Sequence, residues 1–348
     1  MLADRFRWNV QNAFRPDSPL YAKLAEEAAD DPDILQLAAA VPKGQPEIVL
    51  LLGVVHYLLL SGMKHALAGY YPSLSSTGES LPLDEAYPAF HDFCISNGAA
   101  IKPLLQTRKL QTNEVRRCGL LLPAFQVIGK RTNQSPLHLI EVGPSAGLNL
   151  LWDRYRYSYG SEIWLGDESS PVHIMCEVRG EGRPPSQLAV PSVKSRVGID
   201  LMPANVTDDD QMRWQRALIW PDQPERAKLF EEAVQLARKD PPRLIMGDAL
   251  ALLPSIVGSL DDDAIPVVFH SFTLNQFPAE AREALHKLLI DFGKVNTLYR
   301  ISIEWYSGDE FPALRLFTYQ NGQSSEEHLG NCHYHGQWLE WLAASDES

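Results

Sequence analysis

The chain has 348 residues, 45 % of them hydrophobic and 22 % charged, with a formal net charge of −13. That composition supports a packed core and excludes a disordered chain, and the length suits two domains of ordinary size. The acidic balance leaves no electrostatic footprint for a phosphate backbone, which excludes nucleic acid as a direct partner.

Met1–Phe14 carries Asp and Arg and lacks the apolar centre of a signal peptide, so a cytoplasmic protein is expected. Ser18 and Pro19 read as an N-cap and a first-turn proline leading into a helix over Leu20–Ala29. A second helix is expected over Asp33–Ala40 and a third over Glu47–Gly69. The third holds the longest apolar run, Ile48–Leu60, whose 13 residues include His56. That is too short to span a bilayer and predicts a buried helix, with no membrane partner. A loop rich in Pro, Ser and Gly follows at Tyr71–Tyr87, then shorter helices at Pro88–Asn97 and Ile101–Arg108. Thr112, Asn113 and Glu114 supply cap residues for a helix from Glu114 to about Val127. The polar stretch Lys130–Pro136 carries a proline and places the domain boundary. A helical N-terminal domain is expected over residues 1–133 and an α/β domain over 134–348.

Beyond that boundary the period changes. Apolar runs of strand length recur at Leu137–Val142, Val197–Leu201, Leu244–Met246, Val267–Phe269 and Leu298–Ile303. Helical stretches separate them, notably Pro224–Lys239 and Ala279–Phe292. Alternating strands and helices predict a doubly wound, largely parallel sheet covered on both faces. Leu314–Tyr319 and Glu327–Cys332 fit an antiparallel hairpin at the sheet edge. A long insertion, residues 156–195, holds a possible strand at Val172–Val178. The four cysteines, Cys94, Cys118, Cys176 and Cys332, form no C-x-x-C pair. That spacing speaks against a zinc site or disulfide framework and for a reducing compartment.

The richest segment is Leu137–Asn149, L-H-L-I-E-V-G-P-S-A-G-L-N. An apolar strand ends at Glu141, a tight turn runs through Gly143, Pro144, Ser145, Ala146 and Gly147, and an amphipathic helix is expected over Leu148–Tyr155. Such a turn can bring backbone N–H groups and a helix N-terminus up to a ligand. Acids recur at successive strand ends: Glu141 after the first, Asp200 after the second and Asp248 after the third, with His270 after the fourth. A carboxylate after the second strand can accept from both ribose hydroxyls, and one after the third from an adenine amino group. Helix capping is the plainer use of each acid. The ribose-binding acid usually lies about 20 residues beyond the glycine turn, where Asp167 sits. Val197–Leu201 is nevertheless the better strand, which favours Asp200 and loops the insertion out.

Glu141–Asn149, Val197–Pro203 and Gly247–Pro254 resemble the first three motifs of class I S-adenosylmethionine-dependent methyltransferases, with Ser145 at the middle glycine of E-x-G-x-G-x-G. The chain also resembles, nearly end to end, an uncharacterised bacterial family, domain of unknown function 2332. Ser18–Tyr21, Gln111–Glu114, Gly143–Tyr155, Ile219–Pro221 and His335–Leu339 carry that resemblance. The methyltransferase resemblance implies a Rossmann-like α/β domain holding S-adenosylmethionine through Glu141, Gly143, Ser145, Gly147, Asn149, Asp200 and Asp248. Methyl transfer to an O or N atom of a small-molecule substrate follows. His270 is the candidate base, by its unperturbed pKa, and Asn275 and Gln276 would orient the acceptor.

Gly143–Gly147 also satisfies G-x-S-x-G, the nucleophile elbow of serine hydrolases, with Asp248 and His270 or His335 completing the triad. The upstream helices and the lack of an H-G-G-G segment weigh against it. A non-catalytic nucleoside- or partner-binding protein is the third possibility. Gln111, Asn113, Glu114 and Arg117 are expected to face the ligand crevice. His333 and His335 share one face if they lie on a strand, but two histidines make no metal site and none is expected. Trp152, Tyr155, Tyr157 and Tyr159 read as packing between insertion and sheet.

Overall fold

A computed structural model describes residues 1–15, 17–75, 77–160, 163–185 and 188–343. The chain divides into two compact units. The first is Met1–Thr112 with Thr207–Glu231, and the second is Asn113–Val206 with Glu232–Ser348.

The first unit is helical. Its helices are Leu2–Asn9, Pro19–Ala28, Pro32–Ala38, Glu47–Leu60, Ala86–Ser96, Gly98–Thr107 and Asp209–Ala217. Ser18 caps the second of these, accepting the Tyr21 N–H, and Pro19 sits at the position where its missing N–H costs nothing. The apolar run Ile48–Leu60 is the buried centre. His56 lies within it because both ring nitrogens have partners, Ala217 O at 3.0 Å and Ser73 Oγ at 2.8 Å. Burial pushes its pKa down to about 3, so it is neutral. Among the described residues no helix is long and apolar enough to cross a membrane.

The second unit is α/β, built around a mixed sheet with nine strands among the described residues. In chain order its strands are β1 Leu137–Val142, β2 Arg156–Ser158, β3 Trp164–Gly166, β4 His173–Met175, β5 Glu177–Arg179, β6 Val193–Asp200, β7 Arg243–Met246, β8 Ile265–Ser271, β9 Leu298–Glu304, β10 Ala313–Gln320, β11 Gln323–Cys332 and β12 Trp338–Trp341. The large sheet runs β5-β12-β11-β10-β9-β8-β1-β6-β7. β7, β6, β1, β8 and β9 are mutually parallel. All six residues of β1 are buried, which is why this strand reads as a continuous apolar run rather than an alternating one.

The structure differs from the sequence reading in three places. The division falls at Thr112/Asn113, not near residue 133. The helix Cys118–Arg131 belongs with the sheet because Phe125 stacks on Trp152 at 4.2 Å and meets Phe269 edge-on at 5.6 Å. The 207–231 segment returns to the helical unit. The insertion folds as a small sheet, β3-β2-β4, and its last strand β5 pairs with β12. The β10–β11 hairpin forms as expected, but β12 and β5 extend the sheet beyond it.

Candidate functional site

The sheet reverses its direction of growth between β1 and β8, and ligands of open α/β sheets bind outside the strand carboxyl ends at such a point. The turn Gly143–Gly147 lies there. Gly143, Ser145 and Gly147 have φ of 76°, 53° and 74°. A Cβ on Gly143 would meet Thr273 Oγ1 at 2.4 Å, and one on Gly147 would meet Pro242 Cγ at 2.7 Å. Protein packing therefore fixes both glycines. Ser145 holds a left-handed conformation that costs a side-chain-bearing residue roughly 1–2 kcal/mol. Three hydrogen bonds keep it there. Its N–H donates to Asp200 Oδ2 at 3.0 Å, its Oγ accepts from Asn113 Nδ2 at 2.8 Å, and its carbonyl accepts the Ala204 N–H at 3.0 Å.

Asn113 also accepts the Ala146 N–H on Oδ1 at 3.1 Å. The Gly143 N–H donates to Ile199 O and the Gly147 N–H to Pro144 O. The expectation that the turn holds its amides out to a ligand is thus corrected: two side chains, Asp200 and Asn113, and two backbone carbonyls already accept from them. The expected amphipathic α-helix is a 3-10 helix, Leu148–Arg154, kinked at Leu151 and buried from Leu148 to Trp152. What remains for a ligand at this end of the sheet is side-chain chemistry.

Glu141 is the central feature of that chemistry. It is 2 % exposed, and Asn149 hydrogen-bonds its side chain. Oε2 has no partner among the described residues. Burial pushes its pKa up to about 8; the Asn149 bond and the Arg117 charge oppose the shift, and the Asp200 charge adds to it. Cys118 Sγ donates to Asn149 Oδ1 at 3.2 Å, which orients the amide.

Asp200 ends β6, which pairs with β1, so the strand expected to carry the second acid is the one that does. Asp167, by contrast, is exposed beyond β3 in the small sheet, its carboxylate turned onto Ser169. Asp200 Oδ1 accepts the Met202 N–H at 2.8 Å. Met246 pairs with Asp200 in register, and Leu201 and Met246 stand about 70 % and 69 % exposed beside it. Asp248 is exposed and caps the helix Ala249–Val257, accepting from Leu250 N and Ala251 N. Capping is what the structure shows it doing.

His270 and Asn275 sit elsewhere than their expected roles require. His270 is wholly buried, and its Nδ1 pairs with Glu304 Oε1 at 2.7 Å. Burial lowers its pKa, against the Glu304 carboxylate, which raises it. Glu304 also accepts the N–H groups of Thr273, Leu274 and Asn275 at 2.9, 2.9 and 3.2 Å. Asn275 exchanges two bonds with the Trp305 backbone, and Gln276 Nε2 donates to Phe272 O. These residues shape the 271–276 loop whose Thr273 packs on Gly143. Glu304, unassigned in the sequence reading, was legible by the strand-end rule, since it closes the fifth parallel strand.

Asn113 reaches the turn. Arg117 is buried, with its Nε donating to Tyr334 O at 3.0 Å and its guanidinium 4.4 Å from the Phe272 ring centre. His333 and His335 lie in the turn after β11 rather than on a strand, and His333 Nδ1 accepts the His335 N–H. The buried aromatics are packing: Tyr155, Tyr157 and Tyr159 donate their hydroxyls to Leu148 O, Trp152 O and Gly119 O.

The Asp248–His270 pairing of the hydrolase reading is not assembled. β6 and β1 lie between β7 and β8, three strand spacings or roughly 14 Å, so Asp248 cannot orient His270. No curated protein matches the chain. A family model matches residues 3–341, and the chain therefore belongs to the family described as uncharacterised proteins conserved in bacteria, domain of unknown function 2332.

Proposed function

We propose that the second unit is a Rossmann-like, doubly wound domain that binds S-adenosylmethionine and transfers its methyl group to an O or N atom of a small molecule. The observation that carries this reading is Glu141, a buried carboxylate with an unpartnered oxygen beneath the turn after the first strand. An isolated buried carboxylate is costly, and it protonates unless a cation or a donor reaches it. A ligand with an ammonium group supplies both. The strand order adds support: counted along the chain, the parallel strands run third, second, first, fourth, fifth, and right-handed crossovers then put helices on both faces.

Three features of this chain fit the cofactor. Glu141 would take its cationic amino group. The Asp200 carboxylate, at the end of the second parallel strand beside the turn, would take ribose hydroxyls. Leu201 and Met246 offer exposed apolar surface for a planar base beside that acid. When bound, the cofactor supplies a methyl group on a sulfonium sulfur for displacement by a nucleophile. The protein contributes orientation and a water-poor site. Asp248 and His270 have smaller parts here than the sequence implied, one as a helix cap and the other beneath the 271–276 loop.

Titration calorimetry with S-adenosylmethionine and S-adenosylhomocysteine tests the reading. Both carry the amino group, so both should bind the wild type and bind Glu141→Ala at least about tenfold more weakly. Absence of binding by the wild type overturns it.

A further inference from the structure

The helix Ala279–Phe292 and β9 border a pocket of about 400 Å³, lined by Arg300 and Ser302 and by the apolar faces of Leu274, Trp305 and Tyr306. Arg300 and Ser302 are alternate residues of β9 and share one face of the strand. Arg300 is 7 % exposed. Its guanidinium has no hydrogen bond or ion pair with any described residue. Other arginines of this sheet are matched, Arg196 to Asp153 and Arg315 to Glu326. Arg300 instead stacks on Phe317, its Cζ 3.8 Å from the ring centre, with Tyr319 at 5.9 Å. A ring face offsets only part of the cost of burying a cation. The pocket thus holds a buried guanidinium with no hydrogen-bonded or ion-paired partner among the described residues, next to the apolar surfaces of Leu274, Trp305 and Tyr306.

We propose that this pocket binds a small organic monocarboxylate with an apolar body, its carboxylate paired with Arg300. The guanidinium presents a planar fork that matches a carboxylate. Trp305 and Tyr306 suit a hydrocarbon or aromatic body. Glu280, Glu283 and Glu304 line the same pocket, and their like charge disfavours a dianion such as phosphate more than a monoanion. The 271–276 loop stands between the pocket and the glycine turn: Leu274 and Asn275 line the pocket while Thr273 packs on Gly143. Carboxylate binding here needs no cofactor and stands apart from the methyl-transfer reading.

Titration calorimetry on the full chain tests it, with benzoate as probe, benzamide as its neutral isostere and inorganic phosphate as the dianion. Benzoate should bind saturably, and benzamide and phosphate at least about tenfold more weakly. Arg300→Met keeps the stem against Phe317 and removes the charge. Benzoate affinity should fall at least about tenfold in it, while the melting temperature holds or rises because a buried unpaired cation is gone. Arg300→Lys keeps the charge without the fork, and its benzoate affinity should lie between. Should Arg300→Met fail to fold, Arg300→Lys and the three wild-type titrations decide. No saturable benzoate binding up to about 10 mM, equal binding of benzamide, tighter binding of phosphate, or unchanged affinity in the folded Arg300 variants each overturns the proposal.

Discussion

The Asp200 carboxylate accepts the backbone N–H of Ser145 at 3.0 Å, tying the end of the second parallel strand to the turn after the first. Asn113 grips the same turn from the other side through Ser145 Oγ and the Ala146 N–H. The turn is therefore rigid before any ligand arrives, and what it offers is shape rather than free amides.

Asp200→Ala removes the acceptor of two backbone N–H groups, those of Ser145 and Met202. It should destabilise the protein by about 1–3 kcal/mol, the cost of taking the acceptor from the part-buried Ser145 N–H, while the exposed Met202 N–H turns to water. It should also weaken S-adenosylmethionine by roughly 10- to 150-fold. Asp167→Ala, on an exposed turn of the small sheet, should change stability by less than about 0.5 kcal/mol and leave binding alone. Urea denaturation and calorimetry check both variants. A larger effect from Asp167 than from Asp200 would overturn the assignment of the ribose-side acid.

Much of this fold is legible in the sequence because apolar periodicity reports burial directly. The Ala279–Phe292 helix falls where its pattern places it, and the five parallel strands lie on or within a few residues of their apolar runs. Ser18, Asp31 and Asp208 act as N-caps through bonds that depend only on neighbouring residues. The turn amides and His270 are a different matter. Their roles depend on partners distant in sequence: Asn113 lies 32 residues before Ser145, and Glu304 lies 34 residues after His270. No local pattern encodes such pairings. The division of the chain was obscured for the same reason, because the Phe125–Trp152 stack assigns a helix to the sheet that its composition joins to the helices before it.

Glu141 gives the ligand site a proton signature. An acid whose folded pKa is raised, here to about 8, binds its proton more tightly in the native state. Native stability therefore falls as pH rises from the unfolded value of about 4.3 towards 8 and is level above that. In Glu141→Gln this component vanishes, so the difference in stability between variant and wild type should grow in the variant's favour across that window. A cationic ligand that pairs with the carboxylate must displace the proton. At pH 7 S-adenosylmethionine binding should release a substantial fraction of one proton from the wild type and none from the variant. Calorimetry in buffers of different ionisation enthalpy measures this; equal proton release by the two proteins would remove Glu141 from the site.

Ser145 separates methyl transfer from hydrolysis. Its hydroxyl accepts from Asn113 and its φ is 53°. Ser145→Ala keeps the strained backbone and removes the hydroxyl that accepts from Asn113 Nδ2, and should cost about 1–2 kcal/mol. Ser145→Gly relieves the strain while losing the same bond, so it should cost less than the alanine variant. Neither should change turnover by more than roughly tenfold, where loss of a catalytic nucleophile costs several orders of magnitude. Labelling of Ser145 by a fluorophosphonate would instead establish the elbow chemistry.

The His270–Glu304 pair supports the loop rather than presenting a base to an acceptor. Glu304 gathers His270 Nδ1 and three consecutive loop amides. Burial pushes its pKa up, but the His270 bond and those amides more than reverse this and hold it below the usual glutamate value. A carboxylate with a lowered folded pKa contributes stability that is present above its unfolded value and lost as pH falls through the folded one. His270 has a lowered pKa too, from burial, so its neutral form resists protonation below the unfolded value of about 6.5 while the unfolded chain takes the proton. Both groups therefore drain stability in the acid direction, His270 first and Glu304 at lower pH. Glu304→Gln should cost about 2–5 kcal/mol at neutral pH, because charge-assisted bonds are lost and buried donors are orphaned. It should also flatten the acid limb of the stability curve and speed amide exchange across residues 271–276. His270→Ala should speed exchange in the same segment. Because Thr273 of that loop packs directly on Gly143, cofactor affinity and turnover should fall together in both variants. A His270→Ala enzyme with intact cofactor affinity, unaltered loop exchange and a rate lower by about 10²–10⁴-fold would restore His270 as the base.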